Sequence, residues 1–112
     1  MDLINYDSRL RHLMDVDFRS ILTFIVFVDT GSLYGASLVL GCSASSISLH
    51  LKRVRSYFND TLFIREGRNL NPTEYAVELS HQLKLAFYNL DTACHGESAV
   101  ADCELAIGEN KN

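Results

Sequence analysis

Four serines, one histidine and three cations stand within the thirteen residues SASSISLHLKRVR, Ser43 to Arg55. Hydroxyls donate and accept single hydrogen bonds, and Lys and Arg carry lasting charge, so the set suits recognition of a polyanion. At helical spacing Ser45, Ser48, Leu49, Lys52 and Arg53 fall on one face, with an ordinary solvated face as the competing reading. Two more cations, Arg65 and Arg68, flank Gly67 in TLFIREGRNLN. Bond-making chemistry finds no support: there is no phosphate-cradling glycine loop, no HExxH pair and no nucleophile elbow. Cys42, Cys94 and Cys103 form no CxxC pair and have no ligand spacing with the histidines. No catalytic residue, metal or cofactor is expected.

The charge of this 112-residue chain is −4, which taken alone argues against a polyanionic partner. Its distribution reverses that impression. From Ser43 to Pro72 five basic residues face two acids, a balance of +3, whereas from Thr73 onward seven acids face two lysines, a balance of −5. A basic middle and an acidic tail separate roles that the total charge hides. The apolar fraction of 47 % is that of a globular domain, and the size allows one small domain plus an appendage. The longest apolar run, Ile21 to Val28, is far short of the roughly 18 to 20 residues needed to span a bilayer. The odd cysteine count and the lack of a signal peptide point to the cytoplasm, with no membrane partner.

The elements that must position these residues follow from caps and periodicity. Residues 1–16 read as a short helix or arm. Asp17 caps a helix from Phe18 to about Asp29, with Phe18, Ile21, Leu22, Ile25 and Val28 on its buried stripe and Gly31 as its left-handed stop. Ser32 caps Leu33 to Leu40, which Gly41 closes. Ser43 caps a third helix to about Phe58, with Ala44, Ile47, Leu51, Val54 and Phe58 facing inward. The second and third helices make a tight helix–turn–helix. Leu62–Arg65 and Asn69–Asn71 read as a hairpin, the arrangement called a wing. Thr73 then caps a helix to about Cys94. Ala76, Leu83 and Leu90 repeat every seven residues, as do Leu79, Ala86 and Ala93, an interleaved a/d seam that wants a second helix. The fold class is therefore mainly α: a winged helix–turn–helix at 17–72, a dimerisation helix at 73–95, and a tail at 96–112.

Taken together, the Phe24 helix, TGS at Thr30–Ser32, the helix–turn–helix with Ala36 and Ser43, and LFIREGR leading into PTEYA resemble the N-terminal domain of LysR-type transcriptional regulators. The resemblance covers about two thirds of the chain. It implies a homodimer that binds double-stranded DNA, with helix 43–58 in the major groove and wing 62–71 on the flanking backbone. Ser32, Ser43, Ala44, Ser45, Ser48 and Leu49 then stand at the DNA surface, and Lys52, Arg53, Arg65 and Arg68 meet phosphates. The helices at 73–95 pair, and higher oligomers are open.

The sequence also departs from that pattern. Ala44-Ser45 replace the frequent Gln-Pro, Leu49 and Gly35 stand where a basic residue is common, and Arg55 where an acidic one is. Without the glutamine a bidentate reader of adenine, worth ~1–3 kcal/mol of discrimination, is missing. Ala44 and Leu49 can instead touch thymine methyls, so A/T-leaning, modest specificity is expected. The chain ends where an effector-binding domain would begin, at CELAIG, either as a piece of a longer regulator or as a short one. No small-molecule effector is expected in it. The alternative function is a short partner that captures full-length relatives through the 73–95 helix and disables them without specific DNA binding.

Overall fold

Asp17 starts the central helix by turning its carboxylate back on the chain. In the computed structural model, which describes residues 7–96, Asp17 Oδ1 accepts the Arg19 N–H at 3.1 Å and opens α2 (Phe18–Thr30). A six-residue helix, α1 (Ser8–Leu13), precedes it. The same device recurs downstream. Ser32 Oγ accepts the Gly35 N–H at 2.9 Å ahead of α3 (Leu33–Leu40). Ser43 Oγ accepts the Ser46 N–H at 3.1 Å ahead of α4 (Ala44–Phe58). Thr73 Oγ1 accepts the Ala76 N–H at 3.1 Å ahead of α5 (Glu74–His95). Each cap satisfies an amide that the first helical turn leaves without a partner. Gly31, at φ +82°, ends α2 in the left-handed conformation expected of it.

α2 buries more than one face. Phe24 and Phe27 are fully enclosed, with Ile21 and Ile25 beside them, because α3, α4 and α5 all pack on this helix. Burying a phenylalanine stabilises by about 1.5–3 kcal/mol. The stripe expected from periodicity is thereby corrected: Phe18 and Leu22 remain 42 % and 45 % exposed. Phe18 instead turns outward to meet the Phe87 ring of α5 edge-on, centroids 5.9 Å apart. In their place two polar residues, Ser20 and Thr23, go inside. Thr23 can do so because its hydroxyl donates to the Arg19 carbonyl at 2.8 Å. On α4 the inner positions Ile47, Leu51 and Val54 are buried as expected, while Ala44 at the first turn stays exposed and Phe58 is half-buried.

The wing is an antiparallel pair, β1 (Phe63–Glu66) and β2 (Asn69–Pro72), in the register Phe63 to Pro72 through Glu66 to Asn69. Gly67, at φ +62°, takes the first linking position, where a left-handed value suits the strand twist. Leu62 does not belong to the strand, contrary to expectation. It sits at φ +64°, and the Phe63 N–H donates to the Thr61 carbonyl at 2.7 Å, a γ-turn that leucine seldom makes. The turn drives the Leu62 side chain into the core, where it is fully buried. Phe63 follows it inward and packs edge-on against Phe24 and Phe27, at 5.8 and 5.4 Å. The wing is therefore anchored to α2 through aromatic rings.

Candidate nucleic-acid interface

The outward face of α4 carries Ser45, Ser48, Leu49, Lys52 and Arg53, all exposed, with Leu49 at 58 %. Two grooves flank this face. One, of about 340 Å³, lies between the N-termini of α3 and α4 and the hairpin turn, and brings Ser32, Ala44 and Arg68 together. The other, of about 250 Å³, lies between α4 and β1 and brings Ser48, Lys52 and Arg65 together. The N-terminal end of α4 thus stands between wing and α3, with hydroxyls at its tip and cations along its flanks. Ser32 and Ser43 spend an acceptor position on their caps and keep a hydroxyl proton for an outside acceptor.

Arg53 and His50 are held more firmly than their sequence positions suggest. Arg53 Nη1 donates to Asp17 Oδ2 at 2.9 Å, so this guanidinium ties the C-terminal half of α4 to the start of α2. His50 is not a solvated residue: its side chain is 16 % exposed, with Nδ1 2.7 Å from Ser20 Oγ. Ser20 gives its single proton to Asp17 Oδ2 at 2.9 Å, so His50 Nδ1 must be the donor to Ser20. Tyr57 closes the network by accepting the Asp17 N–H at 2.9 Å. The Ser20 hydroxyl, helped by the Arg53 guanidinium and the Arg19 and Ser20 amides, holds the Asp17 carboxyl below the usual carboxylate range, against the opposing effect of partial burial. Ser20, a polar residue next to Ile21 in FRSILTFIVFV, was the sequence signal for this network.

α5 divides its seam. Ala76 and Leu79 are buried in the chain's own core, and Leu83 and Phe87 pack against its edge. Ala86, Leu90 and Ala93 are exposed. Beside them opens a nearly apolar groove of about 350 Å³, between α1, α2, the end of α4 and α5, that includes Leu13, Phe18, Phe58, Leu83, Phe87 and Leu90. Lys84 Nζ meets Asp29 at 2.9 Å, fixing α5 to the end of α2; that hydrogen bond, chiefly, pushes the lysine's pKa up. Cys42 is half-buried and Cys94 exposed. Cys103 and the CELAIG stretch lie outside the described residues. Among those residues no helix is long and apolar enough to cross a membrane.

Residues 18–77 match the family model described as bacterial regulatory helix-turn-helix protein, lysR family. The chain belongs to the lysR family. Among curated lysR-like relatives, the HTH-type transcriptional activator NagR of Ralstonia sp is 32 % identical over 81 residues, covering 72 % of this chain and 27 % of NagR. The chain spans about a quarter of the length of the curated relatives it matches. The crystal structure of the BenM_DBD/catB site 1 DNA complex superposes with a TM-score of 0.67 at 16 % identity, covering 78 % of this chain and 94 % of that one. The full-length Vibrio cholerae virulence activator AphB superposes with a TM-score of 0.60 at 18 % identity, covering 70 % and 27 %. These likenesses establish the winged-helix fold of the lysR-family domain.

Proposed function

We propose that this lysR-family domain is the DNA-reading part of a dimeric transcription regulator working in a bacterial cytoplasm. α4 lies in the major groove, with Ala44, Ser45, Ser48 and Leu49 at base edges. Lys52, Arg65 and Arg68 neutralise phosphates on either side, with Ser32 and Ser43 as neutral hydroxyl donors at the helix starts. Arg53, whose Nη1 is bonded to Asp17, offers its remaining guanidinium N–H groups to a phosphate. The observation that carries the reading is that α4 and the wing share two grooves, one bringing Ser48, Lys52 and Arg65 together and the other Ala44 and Arg68, with Ser32 beside them. The DNA complexes among proteins of the same fold support it.

Pairing of two copies uses α5. Its exposed half supplies Leu90, Ala86 and Ala93, and Leu83 borders the apolar groove beside them; Ala76 and Leu79 serve the same interface from inside, by fixing the helix on its own domain. Two α4 helices then meet successive turns on one face of the duplex. With four cations in each subunit, eight phosphate contacts give a salt slope approaching about −7, from ~0.9 per contact. Selection of bound fragments from sheared genomic DNA, at physiological salt, tests the whole reading. Recovery of a few sites sharing an A/T-rich inverted repeat is the expected result. Binding without enrichment would reduce the function to sequence-blind electrostatics. No binding would favour the capture of full-length relatives through the exposed half of α5, and Lys52→Glu with Arg68→Glu, which spare the Arg53–Asp17 pair, would then leave activity untouched.

A further inference from the structure

We propose that the groove between α4 and β1 is a phosphate clasp completed by Arg55, and that its occupant is one phosphodiester of the DNA backbone beside the stretch that α4 reads. The proposal rests on the DNA-binding reading above and adds to it a residue and a site. Leu51, Phe63 and Leu70 make the floor of the groove, and Lys52, Arg55 and Arg65 make its rim. Lys52 and Arg55 are three residues apart on one helix and so lie on neighbouring turns of the same face. Arg65 approaches from the facing strand.

Among the described residues the three cations have no ion-pair partner. The ion pairs there join Arg9 to Asp7, His50 and Arg53 to Asp17, Lys84 to Asp29, and His95 to Asp91. None of them involves the rim. The acids nearest in sequence are already engaged. Asp60, which borders the adjoining cavity with Lys52 and Arg55, accepts the Leu62 N–H at 2.9 Å. Glu66 accepts from Asn71 Nδ2 at 2.6 Å. Three like charges around one apolar floor repel each other, and an anion seated between them removes that repulsion while taking up charge-assisted hydrogen bonds from each.

Size and place identify the anion. A space of about 250 Å³ holds a tetrahedral phosphate with several waters, each taking about 30 Å³, and is too small for a folded partner. Ser48 lies at the same groove and also on the exposed face of α4. The clasp therefore opens onto the DNA surface, and a phosphate bound there is in register with the helix that reads the bases. Guanidinium groups from two elements can each meet two oxygens of a phosphodiester, which a lone lysine cannot do.

The test is anisotropy of a labelled duplex recovered by the genomic selection, measured against salt concentration with the full chain. Arg55→Gln should weaken binding about fivefold at ~0.15 M salt and flatten the slope by up to about 1 for each subunit, because the phosphate shared with Lys52 and Arg65 loses one of its three cations. Arg55→Lys should keep the slope. Arg11→Gln on α1 should change neither quantity. Arg55 is exposed, and unchanged circular dichroism and melting would show that the variants are folded. Wild-type affinity and slope in Arg55→Gln would overturn the clasp while leaving DNA binding standing. If the wild-type chain bound no duplex, the DNA reading itself would fall, and titration with inorganic pyrophosphate would decide the rest. Saturating shifts of the Arg55 and Arg65 Nε–H resonances, lost in Arg55→Gln, would then make a free phosphate the occupant and overturn the DNA assignment; no shift would overturn the clasp entirely.

Discussion

Phe63→Leu is the substitution that best exposes how the wing is held. The Phe63 ring is 5 % exposed and meets the rings of Phe24 and Phe27 edge-on at 5.8 and 5.4 Å. Leucine keeps most of the apolar volume but loses both ring contacts, each worth about 0.5–1.5 kcal/mol beyond burial. With a small cavity added, the cost is about 2–3 kcal/mol. A domain of this size shifts by about 4–8 °C for each kcal/mol, so melting should fall by about 8 °C at least. Scanning calorimetry measures this directly. A double cycle with Phe27→Leu should return a coupling of about 1 kcal/mol. In hydrogen exchange, the Glu66–Asn69 hairpin amides should open sooner than the α4 amides. A melting shift below about 3 °C with no coupling would refute the view that aromatic rings anchor the wing.

Three further outcomes follow from the same geometry. Ser43→Ala removes the hydroxyl that receives the Ser46 amide, and should cost about 1 kcal/mol in chemical denaturation; Ser43→Gly should cost only a few tenths. Asp17→Asn keeps a capping side chain but removes a carboxylate whose pKa is lowered in the fold. Because the folded value lies below the unfolded one, the charge contributes fully above about pH 4 and its contribution is lost as pH falls through the folded value. The stability gap between wild type and Asp17→Asn should therefore be constant from about pH 7 to 5 and close in more acid solution; a gap that widens there contradicts the network. Leu90→Asp should give a folded monomer in sedimentation experiments, whereas Leu79→Asp should not fold, since Leu79 is 7 % exposed within the domain.

What could be read from the sequence was what is local. A capping residue acts on amides two or three positions away, so Asp17, Ser32, Ser43 and Thr73 each announced a helix start. Gly31 and Gly41 announced the stops, because left-handed backbone strongly favours glycine. Tertiary contacts supplied the rest. The i, i+3, i+4 rule assumes one buried face, and α2 has more, which is why Phe24 and Phe27 displaced Phe18 and Leu22 from the interior. No propensity places leucine at φ +64°; Leu62 accepts that conformation because burial rewards it. His50 and Arg53 meet Ser20 and Asp17 across 30 and 36 residues of chain, and nothing in the spacing of α4 predicts that. The heptad pattern of α5 was present, but a repeat cannot say which half the domain keeps for itself. At the candidate interface the helix face and the wing arginines stood out by type and spacing, whereas the groove shared by Arg55 and Arg65 needed the strand in place.

In the proposed function the N-terminal half of α4 and the wing touch DNA together. Amide-resolved NMR of the chain, titrated with a duplex taken from its selected fragments, tests it most directly. The expected shifts are concentrated at Ala44 to Lys52 and at Gly67 to Asn69, with the Asp91 to His95 end of α5 unmoved by DNA. Shifts confined to α5, or spread evenly over the surface, would contradict it.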